Sequence, residues 1–429
     1  MLERLFKIKA HNSSVKTEVI AGITTFLTMA YIIFVNPAML ADTGMDYGAI
    51  FVATCLAAAI GCLIMGLYAN YPIAMAPGMG LNAFFTYGVV LGMGYSWEVA
   101  LGGVFLSGIV FVLISILKLR EWLINAIPAS LKLGIAAGIG FFLAIIALKN
   151  AGIVVKDPNT MVTLGDLSSP AAIYGFLGFF VIAALAHLRV TGSVMLGILG
   201  VTLLAILFGH NEFAGVVSMP PSIAPTFMAM DIRGALEVGM ISVIFAFLFV
   251  DLFDTSGTLI GVAERGKLLD QDGKLPRIEK ALLADSSATV VGAALGTSST
   301  TSYVESASGV AAGGRTGLTA VVVAGLFLVS LFFAPLAASI PSYATAGALL
   351  YVAVLMAGSL AKVDWEDVSE AAPVLIAALA MPLTFSIAHG IALAFVSYAV
   401  IKLLSGQGKQ VSISVYLLAA LFIVKFVFL

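Results

Sequence analysis

The chain has 429 residues, 61% hydrophobic and only 10% charged, with a formal net charge of −2 and a mean hydropathy of +1.10. Soluble globular domains carry about a quarter charged residues, so this composition excludes a soluble enzyme. No basic stripe is present to bind nucleic acid.

Continuous apolar runs of roughly 17–22 residues match the hydrocarbon thickness of a bilayer. The expected fold is therefore an all-α polytopic membrane protein, since a β-barrel needs short alternating segments. The first sixteen residues carry Arg4, Lys7, Lys9 and Lys16, and the apolar run that follows lacks a small-residue cleavage site. It reads as a first span and not as a removable signal peptide.

Apolar stretches fall at 18–41, 48–68, 80–94, 98–117, 129–148, 171–187, 190–208, 238–262, 281–296, 303–314, 318–340, 343–360, 372–387, 388–404 and 411–428. The region 372–404 reads as two spans or one broken helix, and counting it once gives about fourteen segments. Cys55 and Cys62 share one face of the second segment, too far apart for a disulfide, and read as small buried hydrophobes. Lys118, Arg120 and Lys132 follow the fourth segment, Arg265, Lys267, Lys274, Arg277 and Lys280 the eighth, and Lys362 the twelfth. The loop 209–237 holds only Arg233. The positive-inside rule therefore places the N-terminus in the cytoplasm.

Two segments are too short to span. One follows "NYPIAMAPGMGLNAFF" (70–85), the other "GTSSTTSY" (296–303). Each reads as extended chain feeding a half-helix, a backbone tolerated at membrane depth only where protein or a cavity satisfies it. Asn82 and Glu305, one in each half-helix, are 223 residues apart. The same offset carries Thr28 onto Asp251, 98–117 onto the eleventh segment, and 190–208 close to the last apolar run. Seven is odd, so the second copy must insert upside down, as in the inverted repeats of secondary transporters.

Carboxylates inside spans are costly and usually turned inward. Four stand out: Asp251 and Asp254 on one face of the eighth segment, Asp285 at the start of the ninth, and Glu305 in the first turn of the second half-helix. There the free N–H groups and the helix dipole favour an anion. Glu305 can accept N–H donors from a flat ligand or merely cap its own helix. Asn82 can both donate and accept in the matching place. His11, His187, His210 and His389 show no metal-ligand spacing, and Walker A, paired-His zinc, G-x-S-x-G and G-x-G-D motifs are absent. No enzyme activity is expected.

The stretches "AGITTFLTMAYIIFVNP", "MAPGMGLNAFF", "LFVDLFDTSGTLIG" and "GTSSTTSYVESASGVAAGGRTG" resemble the second nucleobase–cation symporter family, which has the nucleobase–ascorbate transporter fold. The adenine/guanine/hypoxanthine permease branch matches best, from the first span to about residue 360. The resemblance implies 7+7 inverted repeats with a short strand plus half-helix in segments three and ten. It implies a core domain from residues 1–120 and 238–341 and a gate domain from 121–237 and 342–429. Substrate-binding positions fall on Glu305, Asp251 and Asn82, with Thr28, Tyr303 and Val304 contributing. Asp254, Asp285 and Glu305 fall on the proton-coupling network.

The implied activity is elevator-like import of purine nucleobases across the cell membrane, with H⁺ rather than Na⁺ as coupling ion and no organic cofactor or metal. A homodimer through the gate domain is a further implication. Uracil and xanthine branches carry Glu where this chain has Asp251, and an aromatic residue where it has Asn82, which favours a purine. The alternatives are a uracil/xanthine-type symporter and an anion transporter of the same fold. The second would want a site without Glu305.

Overall fold

The computed structural model describes residues 2–117, 127–270 and 275–428. Lys118, Arg120 and Lys274, three of the charges that orient the chain, lie outside the described residues. Among the described residues nine helices are long and apolar enough to cross a membrane, and shorter apolar helices accompany them. The chain is a multi-pass, mostly helical membrane protein.

Polar residues at the loop exits start the helices. Ser14, Asp46, Ser96, Ser169, Asp367 and Ser386 each accept a main-chain N–H from the first turn that follows, which satisfies donors no helix can pair internally. The first segment is not one continuous helix. Val15–Met29 and Ile32–Ala41 are separated by a turn at Ala30 and Tyr31.

Both short segments are interrupted as expected. Asn70, left-handed at φ 54°, ends the second segment, and β1 (Met75–Pro77) leads into the helix that starts at Met79. On the other side of the fifth segment an exposed hairpin, β2 (Val154–Asp157) and β3 (Met161–Leu164), precedes the sixth. Gly296, at φ 98°, ends the ninth segment. β4 (Thr300–Ser302) then feeds the half-helix Ser306–Ala311. β1 and β4 pair antiparallel with Met75, Ala76 and Pro77 opposite Ser302, Thr301 and Thr300. The ladder is extended by Gly78 N–H donating to Ser299 O and Tyr303 N–H to Ala74 O, both at 2.9 Å. Every residue from Thr297 to Ser302 is buried, so backbone that would be orphaned at membrane depth is satisfied by the other repeat.

Two packing groups result. Segments 1–4 pack with 8–11, and segments 5–7 with the helices beyond 342. Small residues let backbones approach. Segments two and eleven cross where an added Cβ on Gly317 would lie 1.9 Å from Gly66 O.

The C-terminal region departs from the fourteen-segment reading. Residues 368–384 and 387–404 are separate helices, because Phe385 adopts a left-handed φ of 49° and Ser386 caps a new start. With Ser342–Ala357 and Ile413–Phe428, four helices stand where three are expected. The partner of the seventh segment also changes. Ser193–Leu207 packs on the sixth segment, on Ser342–Ala357 and on the first segment. Ile387–Leu404 makes the corresponding contacts with Val368–Thr384, the fifth segment and the eighth. The last run is therefore additional, and the offset falls to 194 residues between Ser193 and Ile387, in part because a 3-10 turn at Gly358–Lys362 stands where the first half has the longer β2–β3 connection.

Candidate functional site

The second half-helix presents Glu305 at its start, in an αR conformation with φ −59°. Its side chain makes no cap hydrogen bond to the turn that follows. Tyr31 donates its phenol to Glu305 Oε1 at 2.6 Å. Thr28, three residues earlier, donates to Thr25 O (2.7 Å) and lies 3.5 Å from the Glu305 carbonyl, which accepts Ser308 Oγ (2.5 Å). Segment one thus meets Glu305 at both main chain and side chain.

In the other half-helix Asn82 is fully buried and its Oδ1 accepts from Ser298 Oγ. Asn82 Nδ2 has no hydrogen-bond partner among the described residues. Asp251, also buried, is held through Oδ2 by Thr289 Oγ1 at 2.8 Å, while its Oδ1 is likewise unpartnered. Thr289 additionally reaches Thr300 O at 3.1 Å. Asn82 and Asp251 are therefore both anchored to the extended stretch 298–300, one directly and one through Thr289. Unmet polar atoms in a protein interior cost about 1–3 kcal/mol each, and these two, with Ser299 Oγ and Thr300 Oγ1 of the same extended stretch also unmet, gather at the crossing of the broken segments, where a polar ligand would satisfy them.

Asp285 is not at a helix end. Its helix starts at Ile278, two turns earlier, because the loop charges before it already belong to the helix. Its carboxylate accepts Thr255 Oγ1 at 2.7 Å and both the N–H and the hydroxyl of Ser302 at 2.8 Å. It ties segments eight and nine to β4. Tyr303 is buried and its phenol donates to Pro77 O at 2.6 Å, pinning one strand across the other.

Val304 and Asp254 are exposed. Asp254 lies within Coulombic reach of Glu305, and beside it on the same helix an added Cβ at Gly257 or Gly261 would meet open space. Tyr351, from the other packing group, also lies within Coulombic reach of Glu305. At the opposite end, Tyr87 donates to Asp42 Oδ2 (2.7 Å) and accepts from Asn150 Nδ2 (3.4 Å), with the Lys149 ammonium 5.7 Å above its ring. A cavity of about 170 Å³ lies there, lined by Val35, Ala38, Asp42, Asn150 and Ser342 among others.

Sequence reasoning missed Tyr31, Thr289 and Tyr351, and it left the hydroxyls of 297–302, Ser298 among them, between supporting the extended backbone and lining the cavity. Tyr31 sits in an apolar run, and the only signal was its three-residue distance from Thr28.

The fold is that of a membrane transporter. It matches the transmembrane domain of the cyanobacterial bicarbonate transporter BicA with a TM-score of 0.63 at 16% identity, covering 89% of this chain and 97% of that one. The mouse Solute Carrier 26 family member A9 anion transporter gives 0.68 at 11% identity, covering 91% and 69%. A family model described as "Permease family" matches residues 16–393. Adenine permease AdeP of Escherichia coli is 50% identical over 429 residues, covering all of this chain and 96% of the relative. Guanine/hypoxanthine permease PbuG of Bacillus subtilis is 46% identical over 440 residues, covering both chains fully. The chain belongs to this permease family, the nucleobase–ascorbate transporter family.

Proposed function

We propose that this protein imports purine nucleobases (adenine, guanine or hypoxanthine) across the cell membrane by proton symport, with its N-terminus in the cytoplasm. The observation that carries the reading is the pair of unpartnered buried atoms, Asp251 Oδ1 and Asn82 Nδ2, held beside two broken segments with Glu305 at the second half-helix. An acceptor, a donor and a carboxylate suit the alternating N–H and ring-nitrogen edge of a purine. The names of full-length relatives, adenine permease and guanine/hypoxanthine permease, support the same substrate class.

In this mechanism Glu305 and Asp251 accept the base's N–H groups, and Asn82 donates to a ring nitrogen or carbonyl. Protonation of a carboxylate in the Asp251, Asp254, Asp285 and Glu305 group links proton entry to loading, without Na⁺ or an organic cofactor. Segments 1–4 and 8–11 then move as a core against the remaining gate helices, which exposes the site to each side in turn. The gate helices are the expected contact of a homodimer.

The test is uptake of labelled adenine, guanine, hypoxanthine, xanthine and uracil by cells lacking their own carriers. Wild type should take up a purine faster in mildly acidic than in mildly alkaline medium, and an uncoupler should abolish the difference. Glu305→Gln and Asp251→Asn should each reduce uptake at least ten-fold, the loss expected for one charge-assisted hydrogen bond. Undiminished uptake by both variants would refute the site, and indifference to pH and uncoupler would refute proton coupling.

A further inference from the structure

We infer that Tyr31 is a positioning residue of this site, acting on the base through Glu305; the inference rests on the function proposed above. Tyr31 occupies the turn between the two helices of segment one and is 1% exposed. Its hydroxyl donates to a single carboxylate oxygen, Oε1, at 2.6 Å, a short contact of the charge-assisted kind. One turn back, the Thr28 hydroxyl donates to Thr25 O at 2.7 Å and lies 3.2 Å from Ser308 Oγ, whose proton goes to the Glu305 carbonyl at 2.5 Å. The Glu305 carbonyl is therefore held by Ser308, and the remaining freedom is rotation of its side chain. Tyr31 removes that freedom.

The consequence concerns affinity. A glutamate at the start of a six-residue half-helix would otherwise sample several rotamers, and a ligand would have to immobilise it at an entropic cost. With Oε1 committed to the phenol, Oε2 is the oxygen offered to a base N–H. One oxygen presented in one direction favours a base whose N–H lies at one edge. Tyr31 acts through Glu305, so its loss weakens binding while leaving the carboxylate that binds.

The deciding variant is Tyr31→Phe, which keeps the ring and its packing and deletes one oxygen. Uptake kinetics and the melting temperature of the purified protein are measured together. The expected result is a KM for the transported purine raised about ten-fold, Vmax within about two-fold of wild type, and an unchanged melting temperature without the base. A KM equal to wild type overturns the inference, as does a lowered melting temperature with KM intact, because that pattern belongs to a merely structural hydroxyl. If wild type itself takes up none of the purines, the functional reading fails first and this inference falls with it. The two failures are therefore separable.

Discussion

Ser298 donates its hydroxyl to Asn82 Oδ1 across 216 residues of sequence. The contact joins one repeat's extended stretch to the other repeat's half-helix, and it fixes which way the Asn82 amide faces. With Oδ1 occupied, Nδ2 is left as the free donor. Ser298→Ala should therefore let the amide turn, raising KM for a purine several-fold while uptake persists, which a kinetic comparison with wild type will read. Unaltered KM would mean that Asn82 needs no such orientation.

Asp285 carries three hydrogen bonds, two of them from Ser302. Asp285→Ala should strand the Ser302 N–H in a buried strand and lower stability by roughly 3 kcal/mol, seen as a lower melting temperature in detergent. Asp285→Asn keeps acceptor capacity and should fall between the two.

Gly309 and Gly257 form an internal contrast. An added Cβ at Gly309 would lie 2.0 Å from Thr25 Oγ1 and 2.5 Å from Ala21 O, whereas at Gly257 it meets nothing within 4 Å. Gly309→Ala should push the half-helix from segment one and displace Glu305, costing about 1–3 kcal/mol and most of the uptake. Gly257→Ala should melt like wild type.

The chain of hydrogen bonds from Asp42 through Tyr87 to Asn150 holds segments one and three against the fifth. Tyr87→Phe removes both bonds, and should shift the balance toward opening at that end by about ten-fold. With the N-terminus in the cytoplasm as proposed, a cysteine placed at Ala38, which lines the adjoining cavity, reports this by faster reaction with an impermeant thiol reagent added outside intact cells. Cys55 and Cys62 are buried, so background labelling is low.

Lys402 is nearly buried, with Nζ 2.6 Å from Glu370 Oε1 and 2.7 Å from both Ser369 Oγ and Gln407 Oε1. Lys402→Met should leave Glu370 without its cation and cost about 2 kcal/mol of stability, since Glu370 retains partial solvent contact. Adding Glu370→Gln should restore part of the melting temperature; no restoration would argue against the charge pair.

Much of the architecture was legible because its determinants are local. Prolines at 72 and 77 and the hydroxyl run 297–302 cannot build an ordinary span, and carboxylates in apolar helices are rare enough to mark a site. Glu305, Asp251 and Asn82 were visible for that reason. Tyr31 was not, because a tyrosine in an apolar helix looks like core until its phenol is seen against Glu305. Nor was Asp285's bond to Ser302, which depends on how β4 lies over the ninth segment. The split at Phe385 stayed open between two spans and one broken helix, because its left-handed conformation comes without a glycine to announce it.

The β1–β4 pairing also has a consequence for biosynthesis. In the strand ladder Met75, Ala76 and Pro77 face residues 300–302, so more than two hundred further residues must be made before this strand finds its partner. Until then the nascent N-terminal half holds unpaired amides among lipid or translocon walls, where each is costly. A ribosome that stops early leaves a fragment unable to seal itself, and such a fragment is a natural target for membrane quality-control proteases. Completion of the chain, more than any single helix, commits the first half to its final shape.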